Sequence, residues 1–213
     1  MRKKVTIIDY GVGNTKSLKM IFEKLDVDVI LTKNEEEIIN SKYIILPGVG
    51  AFASAMEKIK KFKIDQFLLN ASNNKAYILG ICLGAQLFMT KSEEFGENNG
   101  LNLIPGEVKK ILVTPKKEKI KLPHIGWSEI LKSNIIDENQ EKLLFNIDSK
   151  DSFYFIHSYI CIVKNNLHEL FHTKYEELKI PAIIGSKNIF GCQFHPEKSG
   201  LSGIKFMRNF INL

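Results

Sequence analysis

Arginine is nearly absent from this 213-residue chain, although the chain is basic. Only Arg2 and Arg208 are arginines among 30 basic residues, and the formal net charge is +6. A basic chain suggests nucleic-acid binding, but base-edge readout and bidentate phosphate contacts favour arginine. We therefore expect no nucleic-acid partner. We interpret the lysines as a solvated surface, part of which steers the chain toward a partner subunit.

Cysteine and long apolar runs are also scarce. The three cysteines are odd in number and do not make a disulfide framework in a chain of this size. No stretch approaches the roughly 20 apolar residues that span a bilayer. The apolar run at 5–8 is too short for the core of a signal peptide. These absences predict a cytoplasmic protein with reduced thiols and no membrane partner.

The remaining composition is that of an ordinary globular protein, with 44% hydrophobic and 25% charged residues. A chain of this length buries enough surface to fold without a metal or disulfides. The sequence shows no internal repeat and no linker. We therefore predict a single domain over 1–213.

Strand and helix patterns alternate over the first half of the chain. Short runs rich in Ile and Val predict strands, and apolar residues at helical spacing predict the helices between them. The predicted strands are 5–8, 27–31, 43–46 and 76–81, and the predicted helices are 17–25, a short one after Asn34, and 51–69. This alternation predicts an α/β fold with a mostly parallel central sheet flanked by helices.

The second half of the chain has a different pattern. Between 107 and 187 the apolar runs are shorter and alternate with polar residues, which predicts an antiparallel sheet region beside the parallel core. Turns are predicted at Ile125-Gly126 and at 164–166. A last core strand is predicted at 189–194 and a closing helix at 203–211.

The most specific local feature is Gly80-Ile81-Cys82-Leu83-Gly84, which links a predicted strand to a helical pattern. This is the nucleophile-elbow arrangement with Cys at the nucleophile position. A helix N-terminus favours the thiolate, and the backbone N–H of Leu83 would face a developing oxyanion. The alternative is that Cys82 is a small core residue, which is our interpretation of Cys161 and Cys192.

A base for this thiol is available in His195-Pro196-Glu197, just past the last predicted strand. A His–x–Glu pair there reaches the carboxyl end of the sheet, where open α/β folds place their sites. His195 would accept the proton of Cys82, and Glu197 would hold the imidazole in the required tautomer. The pattern predicts a Cys–His–Glu triad for nucleophilic catalysis.

The loop Pro47-Gly48-Val49-Gly50 follows the third predicted strand, so it lies at the same sheet edge as Cys82. Its glycines would let the backbone N–H groups of Val49 and Gly50 approach a substrate and complete an oxyanion hole. A plain Pro-Gly turn is an equally good interpretation from the sequence alone.

One motif points to different chemistry. His168-Glu169-Leu170-Phe171-His172 matches H-E-x-x-H, the pattern of zinc proteases. That chemistry needs a sustained helix, so that both histidines share one face. Here the motif lies in a stretch with the pattern of strand and turn. We therefore predict no metal site.

The stretches 80–86 and 195–197 resemble the class I (triad) glutamine amidotransferases. Within that family, five further stretches resemble the glutaminase subunits of imidazole glycerol phosphate synthase: Gly13-Asn14, 46–52, 123–127, 154–159 and 191–199. The match runs along the whole chain in the same order. The departures are small: Ala85 stands where Met is common, and Ser128 stands where Asn is usual.

The resemblance implies a flavodoxin-like amidotransferase fold and L-glutamine as the substrate. Cys82 would form a γ-glutamyl thioester and release ammonia to a (β/α)₈-barrel synthase subunit in a heterodimer of the histidine pathway. It also implies that glutamine is held by Gly48, Gln86, Glu94, His157, Ser158 and Tyr159. The implied partner-interface residues are Asn14, Ser17, Trp127 and Lys198. No metal or organic cofactor is implied. A purely structural role for His124 and His157 stays open.

Three other functions remain compatible with these motifs. A paralogous glutaminase subunit would feed a sugar-amidating enzyme of surface-polysaccharide synthesis with the same triad. The glutaminase of pyridoxal phosphate synthase also shares the triad, but it should lack the stretch 123–127. A non-catalytic scaffold with the same fold is the third, and the intact triad argues against it.

Overall fold

The computed structural model describes residues 2–112, 121–134, 137–148 and 151–213. The helices are Thr15–Lys24 (α1), Glu35–Ile39 (α2), Phe52–Lys61 (α3), Ile64–Asn73 (α4), Leu83–Leu87 (α5), Glu138–Leu143 (α6) and Gly200–Phe210 (α7). The strands are Lys4–Ile8 (β1), Asp28–Thr32 (β2), Tyr43–Leu46 (β3), Tyr77–Ile81 (β4), Lys91–Ser92 (β5), Asn98–Asn99 (β6), Gly106–Lys110 (β7), His124–Glu129 (β8), Leu131–Lys132 (β9), Ser152–His157 (β10), Tyr159–Val163 (β11), Glu169–Tyr175 (β12), Leu178–Ser186 (β13) and Ile189–Cys192 (β14). Short 3-10 helices cover Asn166–His168 and Pro196–Lys198.

The central sheet has eight strands in the order β2-β1-β3-β4-β14-β13-β12-β9. The first five of these strands are parallel to one another, and the last three continue the sheet in antiparallel pairing. Every residue of β3 and β14 is buried, because helices or other strands cover both faces of the sheet. The predicted α/β class with a mostly parallel sheet is therefore confirmed.

Alternate strand residues supply two apolar cores, one on each face of the sheet. On one face, Ile45 and Leu79 pack with Phe22 of α1 and Phe210 of α7. The other core contains the neighbouring strand residues Ile44 and Ile78, together with apolar residues of α3, α4 and α5. This alternation follows from the two-residue period of a strand. The two helical layers hold the sheet rigid beneath the loops at its edge.

The predicted helix over 51–69 is wrong as a single element, because the chain forms α3 and α4 instead. Lys63 adopts a left-handed conformation with φ of 57°, which ends one helix and starts the next. The break turns Ile64, Phe67 and Leu68 into the core. No glycine or proline marks this break, and the apolar residues keep a helical spacing across it. The sequence pattern therefore predicts one continuous helix.

Antiparallel pairing dominates the second half, as predicted. β8 and β10 form a two-stranded ribbon, and β11, β7, β5 and β6 form a separate sheet that is antiparallel except at the β5–β7 pair. The turn predicted at Ile125-Gly126 is wrong, because both residues lie inside β8, paired with Ile156 and Phe155. Residues 113–120, 135–136 and 149–150 of this region lie outside the described residues.

Three loops that carry predicted site residues leave neighbouring strands at the same edge. β3, β4 and β14 are adjacent and parallel, and each ends just before such a loop. The loops begin at Pro47, Cys82 and Gln193. Because the carboxyl ends of parallel strands share one edge, the fold brings these loops together. Among the described residues, no helix is both long and apolar enough to cross a bilayer.

Candidate active site

Cys82 occupies a sharp turn between β4 and α5. Its φ of 53° and ψ of −109° lie in a region that L-residues rarely adopt, so the backbone is strained at this position. The turn is tight enough that a Cβ on Gly80 would come within 2.6 Å of the backbone of Gly84 and Ala85. The structure thus has the nucleophile-elbow geometry, with the side chain of Cys82 at the edge of the sheet.

His195 and Glu197 form a buried pair at the same edge. Nδ1 of His195 lies 2.8 Å from Oε1 of Glu197, and their side chains are only 4% and 2% exposed. A carboxylate oxygen accepts from the imidazole Nδ1–H, which fixes the ring orientation. The other ring nitrogen, Nε2, is then left to exchange a proton with a nucleophile.

The surroundings of His195 favour its protonated form. Burial alone would lower the pKa of the imidazole, but hydrogen bonding and charge interactions with Cys82 and Glu197 outweigh it and raise the pKa to about 10. The imidazolium is therefore the main form at neutral pH. A His that already holds a proton beside a thiol is suited to deliver that proton to a leaving group.

The loop that carries His195 is fixed by hydrogen bonds to the ribbon. The backbone N–H of His195 donates to the carbonyl of Tyr154 at 2.9 Å. The Ser199 hydroxyl donates to the carbonyl of His195 at 2.6 Å and accepts from the backbone N–H of Tyr154 at 2.9 Å. Ser199 therefore holds the backbone of His195 in place, a role that its sequence position alone did not reveal.

Two buried glutamines lie beneath the thiol. Nε2 of Gln193 lies 3.6 Å from Sγ of Cys82, and its Oε1 accepts from Nε2 of Gln86 at 3.2 Å. Gln86 also donates to the carbonyl of Tyr159 at 3.0 Å. Gln193 was missed as a site residue, because its position two residues before His195 is equally consistent with a core strand.

A cavity of about 500 Å³ opens above Cys82. Most of the predicted catalytic, oxyanion and substrate residues line it. They are Cys82, His195, Leu83, Val49, Gly50, Gln86, Glu94, His157, Ser158 and Tyr159, joined by Lys198 from the predicted interface. The volume suits a small metabolite. A larger groove of about 600 Å³ lies at the amino end of β1 and β3, away from the triad.

The loop after β3 borders this cavity. Val49 is half exposed, and Gly50 adopts a positive φ of 97°. Gly48 lies behind them against the elbow, where a Cβ would meet the backbone of Gly84 at 2.5 Å. The glycine at 48 is thus needed for close packing, whereas the residues at 49 and 50 remain accessible to a ligand.

Glu94 connects the cavity to the start of α3. Its Oε2 accepts from the backbone N–H of Phe52 at 2.6 Å. The residue before the helix, Ala51, makes no side-chain cap, so Glu94 supplies the acceptor that this helix end needs. The carboxylate that faces the cavity also holds the chain just after Gly50.

The predicted interface residues lie outside the Cys82 cavity, except Lys198. Trp127 is 56% exposed on β8, and Nζ of Lys198 stands 5.6 Å from the ring centroid of Tyr154. The side chain of Asn14 caps α1 by accepting from the backbone N–H of Ser17 at 3.2 Å. Ser17 borders a small cavity of about 150 Å³ that Glu197 also lines. Ser17 and Lys198 thus each line a cavity that also contains a member of the predicted triad.

The H-E-x-x-H stretch has no metal-site geometry. His168 ends a short 3-10 helix, and β12 begins at Glu169, so no sustained helix forms. Glu169 and His172 both bind the hydroxyl of Ser133, at 2.7 Å each. Within the described ranges no group of three or more metal-ligating side chains occurs. The prediction of strand and turn for this stretch is confirmed.

The other two cysteines are core residues, as predicted. Cys161 is 3% exposed and Cys192 is fully buried. Burial raises the pKa of both thiols well above the ordinary value, so they remain protonated and unreactive.

Comparison with known proteins gives a consistent result. The Glutamine amidotransferase class-I model matches residues 6–213. Imidazole glycerol phosphate synthase subunit HisH 1 of Legionella pneumophila (strain Lens) is 37% identical over 210 residues, which are 98% of this chain and 99% of the relative. Imidazole glycerol phosphate synthase subunit HisH of Lactococcus lactis subsp. lactis is 39% identical over 209 residues, with 98% of each chain covered.

Solved structures support the fold independently of these relatives. PurLQS from Thermotoga maritima superposes with a TM-score of 0.73 at 17% identity, over 100% of this chain and 99% of that chain. At that identity the likeness shows the fold alone. The predicted family and enzyme class are confirmed by the sequence relatives: the chain belongs to the class I glutamine amidotransferases, in the group of HisH subunits of imidazole glycerol phosphate synthase.

Proposed function

We propose that this chain, as a single domain over 1–213, hydrolyses L-glutamine to glutamate and ammonia through Cys82, His195 and Glu197. The observation that carries the assignment is the buried His195–Glu197 pair, 2.8 Å from Nδ1 to Oε1, beside a cysteine on a strained elbow. A cysteine nucleophile needs a base and an orienting acid, and these three side chains fill the three roles.

The reaction proceeds in two halves. Sγ of Cys82, whose proton is already held by His195, attacks the side-chain amide carbon of glutamine. His195 then gives its proton to the amide nitrogen, the C–N bond breaks, and ammonia departs. A γ-glutamyl thioester remains on Cys82. In the second half His195 takes a proton from water, the hydroxide attacks the thioester, and the C–S bond breaks. This restores the sulfur of Cys82 beside the protonated His195, and glutamate leaves.

The cavity supplies the other groups that this chemistry needs. The backbone N–H of Leu83, at the start of α5, stabilises the tetrahedral oxyanion, and the N–H groups of Val49 and Gly50 complete the hole. The carboxylate of Glu94 complements the α-ammonium group of glutamine. The rest of the cavity is shaped by Gly48, Gln86 and the 157–159 turn. Its volume of about 500 Å³ is large enough for one glutamine.

Ammonia released here passes to a partner subunit. The names of the relatives place HisH in imidazole glycerol phosphate synthase, so we infer a (β/α)₈-barrel synthase subunit as the partner in a heterodimer. There the ammonia contributes to imidazole glycerol phosphate and aminoimidazole carboxamide ribotide in histidine biosynthesis. The docking surface consists of Asn14, Ser17, Trp127 and Lys198. The exposed ring of Trp127 is the main apolar anchor.

Co-expression with the candidate synthase subunit of the same source tests both halves of the proposal. We expect the two chains to co-purify and to turn glutamine into glutamate when the synthase ligand is present. A deletion strain should require histidine, and the wild-type gene should restore growth. A strain without a redundant copy that grows without histidine would contradict the histidine assignment. Co-purification with a sugar-amidating enzyme would move the same chemistry to the polysaccharide paralogue.

A further inference from the structure

Two buried histidines face each other across the β8–β10 ribbon. His124 and His157 are cross-strand partners, and Nδ1 of His124 lies 3.0 Å from Nε2 of His157. The other ring nitrogen of His157, Nδ1, lies 3.0 Å from the carbonyl oxygen of Tyr159. The other ring nitrogen of His124, Nε2, lies 3.1 Å from the hydroxyl of Ser128. Four groups are thus joined in one continuous chain.

The end group of this chain fixes its direction. The carbonyl oxygen of Tyr159 can only accept, so Nδ1 of His157 carries the hydrogen. In a neutral ring Nε2 of His157 is then an acceptor, which requires Nδ1–H on His124. Nε2 of His124 is left as an acceptor in turn, and the hydroxyl of Ser128 donates to it. Each hydrogen bond therefore points from Ser128 toward Tyr159.

The surroundings keep both rings neutral. Burial lowers the pKa of His124 to about 4, and burial together with the neighbouring His124 lowers that of His157 to about 3. The ring of His124 is stacked between Phe155 and Tyr175, with centroid distances of 5.0 Å and 4.1 Å. These contacts restrict rotation of the ring and so preserve the order of donors and acceptors.

The chain ends at the wall of the glutamine cavity. The carbonyl of Tyr159 also accepts from Gln86 at 3.0 Å, so it receives hydrogen bonds from two directions. The carbonyl of Ile156, which precedes His157, lies 3.9 Å from Sγ of Cys82. A shift of this turn would therefore change both the cavity and the contacts of the thiol.

We propose that Ser128, His124 and His157 are positioning residues, whose directional hydrogen-bond chain holds the 157–159 turn in its glutamine-binding arrangement. The meaning of the turn as a substrate wall rests on the proposed function. Ser128 is adjacent to Trp127 on β8, at the proposed docking surface. The hydrogen-bond chain therefore also connects that surface to the wall of the substrate cavity. A partner that moves β8 would thus act on glutamine binding through Ser128.

Histidine ¹⁵N NMR of the full-length protein tests the direction of the hydrogen-bond chain, and this test does not depend on activity. We expect both rings to be in the neutral Nδ1–H form between pH 5.5 and 8.5. Removal of the donor in Ser128→Ala should shift the ¹⁵N signals of both rings, while Ser128→Asn, which keeps an N–H donor, should restore the wild-type pattern. An Nε2–H form of His157, titration of either ring in that range, or unchanged signals in Ser128→Ala would overturn the proposal.

Kinetics of the complex with the synthase subunit test the positioning role. Loss of one hydrogen bond is worth about 1 kcal/mol, so Ser128→Ala should raise KM for glutamine about five-fold with little change in kcat. Ser128→Asn should stay close to wild type. Ser152→Ala, one register position from Ser128 on the neighbouring strand, is the matched control. Equal KM values for the two Ser128 variants would refute the role, whereas a wild-type complex without glutaminase activity would refute the proposed function and leave the NMR result standing.

Discussion

Nδ1 of His195 and Oε1 of Glu197 are 2.8 Å apart, although only one residue separates them in sequence and both side chains are almost completely buried. Pro196 begins a short 3-10 helix between them, which turns both side chains to the same side. In an ion pair that is buried in this way, removal of either partner leaves the other charge buried and unpaired, which destabilises the fold. Under the proposed function, this pair therefore affects catalysis and folding together.

Glu197→Gln should reduce kcat at least a hundredfold. The amide can donate to Nδ1 of His195, which would place the ring hydrogen on Nε2, where a proton must be accepted from Cys82. Glutaminase assays of the complex measure the loss, and Glu57→Gln on the exposed face of α3 serves as control. Wild-type kcat in Glu197→Gln would remove this residue from the triad.

Stability should fall at alkaline pH because of His195. Its pKa is raised from 6.5 to about 10, so the stabilising contribution is complete below pH 6.5 and is lost as the pH rises through 10. Thermal unfolding midpoints measured from pH 6 to pH 10 should decrease in the wild type and decrease less in Glu197→Gln. Parallel curves for the two proteins would show that this pair is not the source of the pH dependence.

The strain at Cys82 leads to a prediction that separates activity from stability. Cys82→Ala and Cys82→Gly should both abolish glutaminase activity and retain binding to the partner. Glycine adopts a φ of 53° without the steric cost, so Cys82→Gly should be more stable than Cys82→Ala by about 1 kcal/mol. Urea unfolding of the two variants measures the difference. Residual hydrolysis in either variant would show that another group is the nucleophile.

The elements that the sequence predicts best are those whose local pattern has one structural solution. Apolar runs at 5–8 and 43–46 are buried on both faces and became β1 and β3. The glycines around Cys82 permit a turn that larger residues would block. The break at Lys63 was not predictable, because a lysine in a left-handed conformation follows from packing of Phe67 and Leu68 against the core rather than from its own preference.

The site was predictable to the extent that its residues carry distinctive chemistry. Cys82, His195 and Glu197 have few alternative explanations once they share a sheet edge, although their roles stay predictions. Ser128, Gln193 and Ser199 are common residue types in unremarkable positions. The contacts of Gln193 and Ser199 join segments far apart in sequence, such as β10 with the loop after β14. Ser128 contacts His124 on its own strand, but that ring is in turn paired with His157 on β10. Tertiary structure alone reveals them.

A strong chelator should leave glutaminase activity unchanged. Glu169 is bound to Ser133 and, at 2.6 Å, to Lys179, while the Nδ1 atom of His172 is bound to Ser133. These groups are paired with one another and do not converge on an open position for zinc. Activity before and after dialysis against chelator, with metal analysis of the protein, measures this. Loss of activity that zinc restores would overturn the thiol mechanism.

Glu94 should affect substrate binding and helix stability in separable ways. One oxygen accepts from the N–H of Phe52 at 2.6 Å, and the carboxylate faces the cavity. There we propose that it complements the ammonium group of glutamine. Glu94→Gln keeps an acceptor but loses the charge, so KM should rise about tenfold with little change in stability. Glu94→Ala loses both, so it should also lower the free energy of unfolding by about 1 kcal/mol, as loss of a helix cap does.

Steady-state kinetics and urea unfolding of the two variants separate the effects. Equal stabilities would mean that the contact with Phe52 contributes nothing to folding, and an unchanged KM in both would exclude Glu94 from the glutamine site.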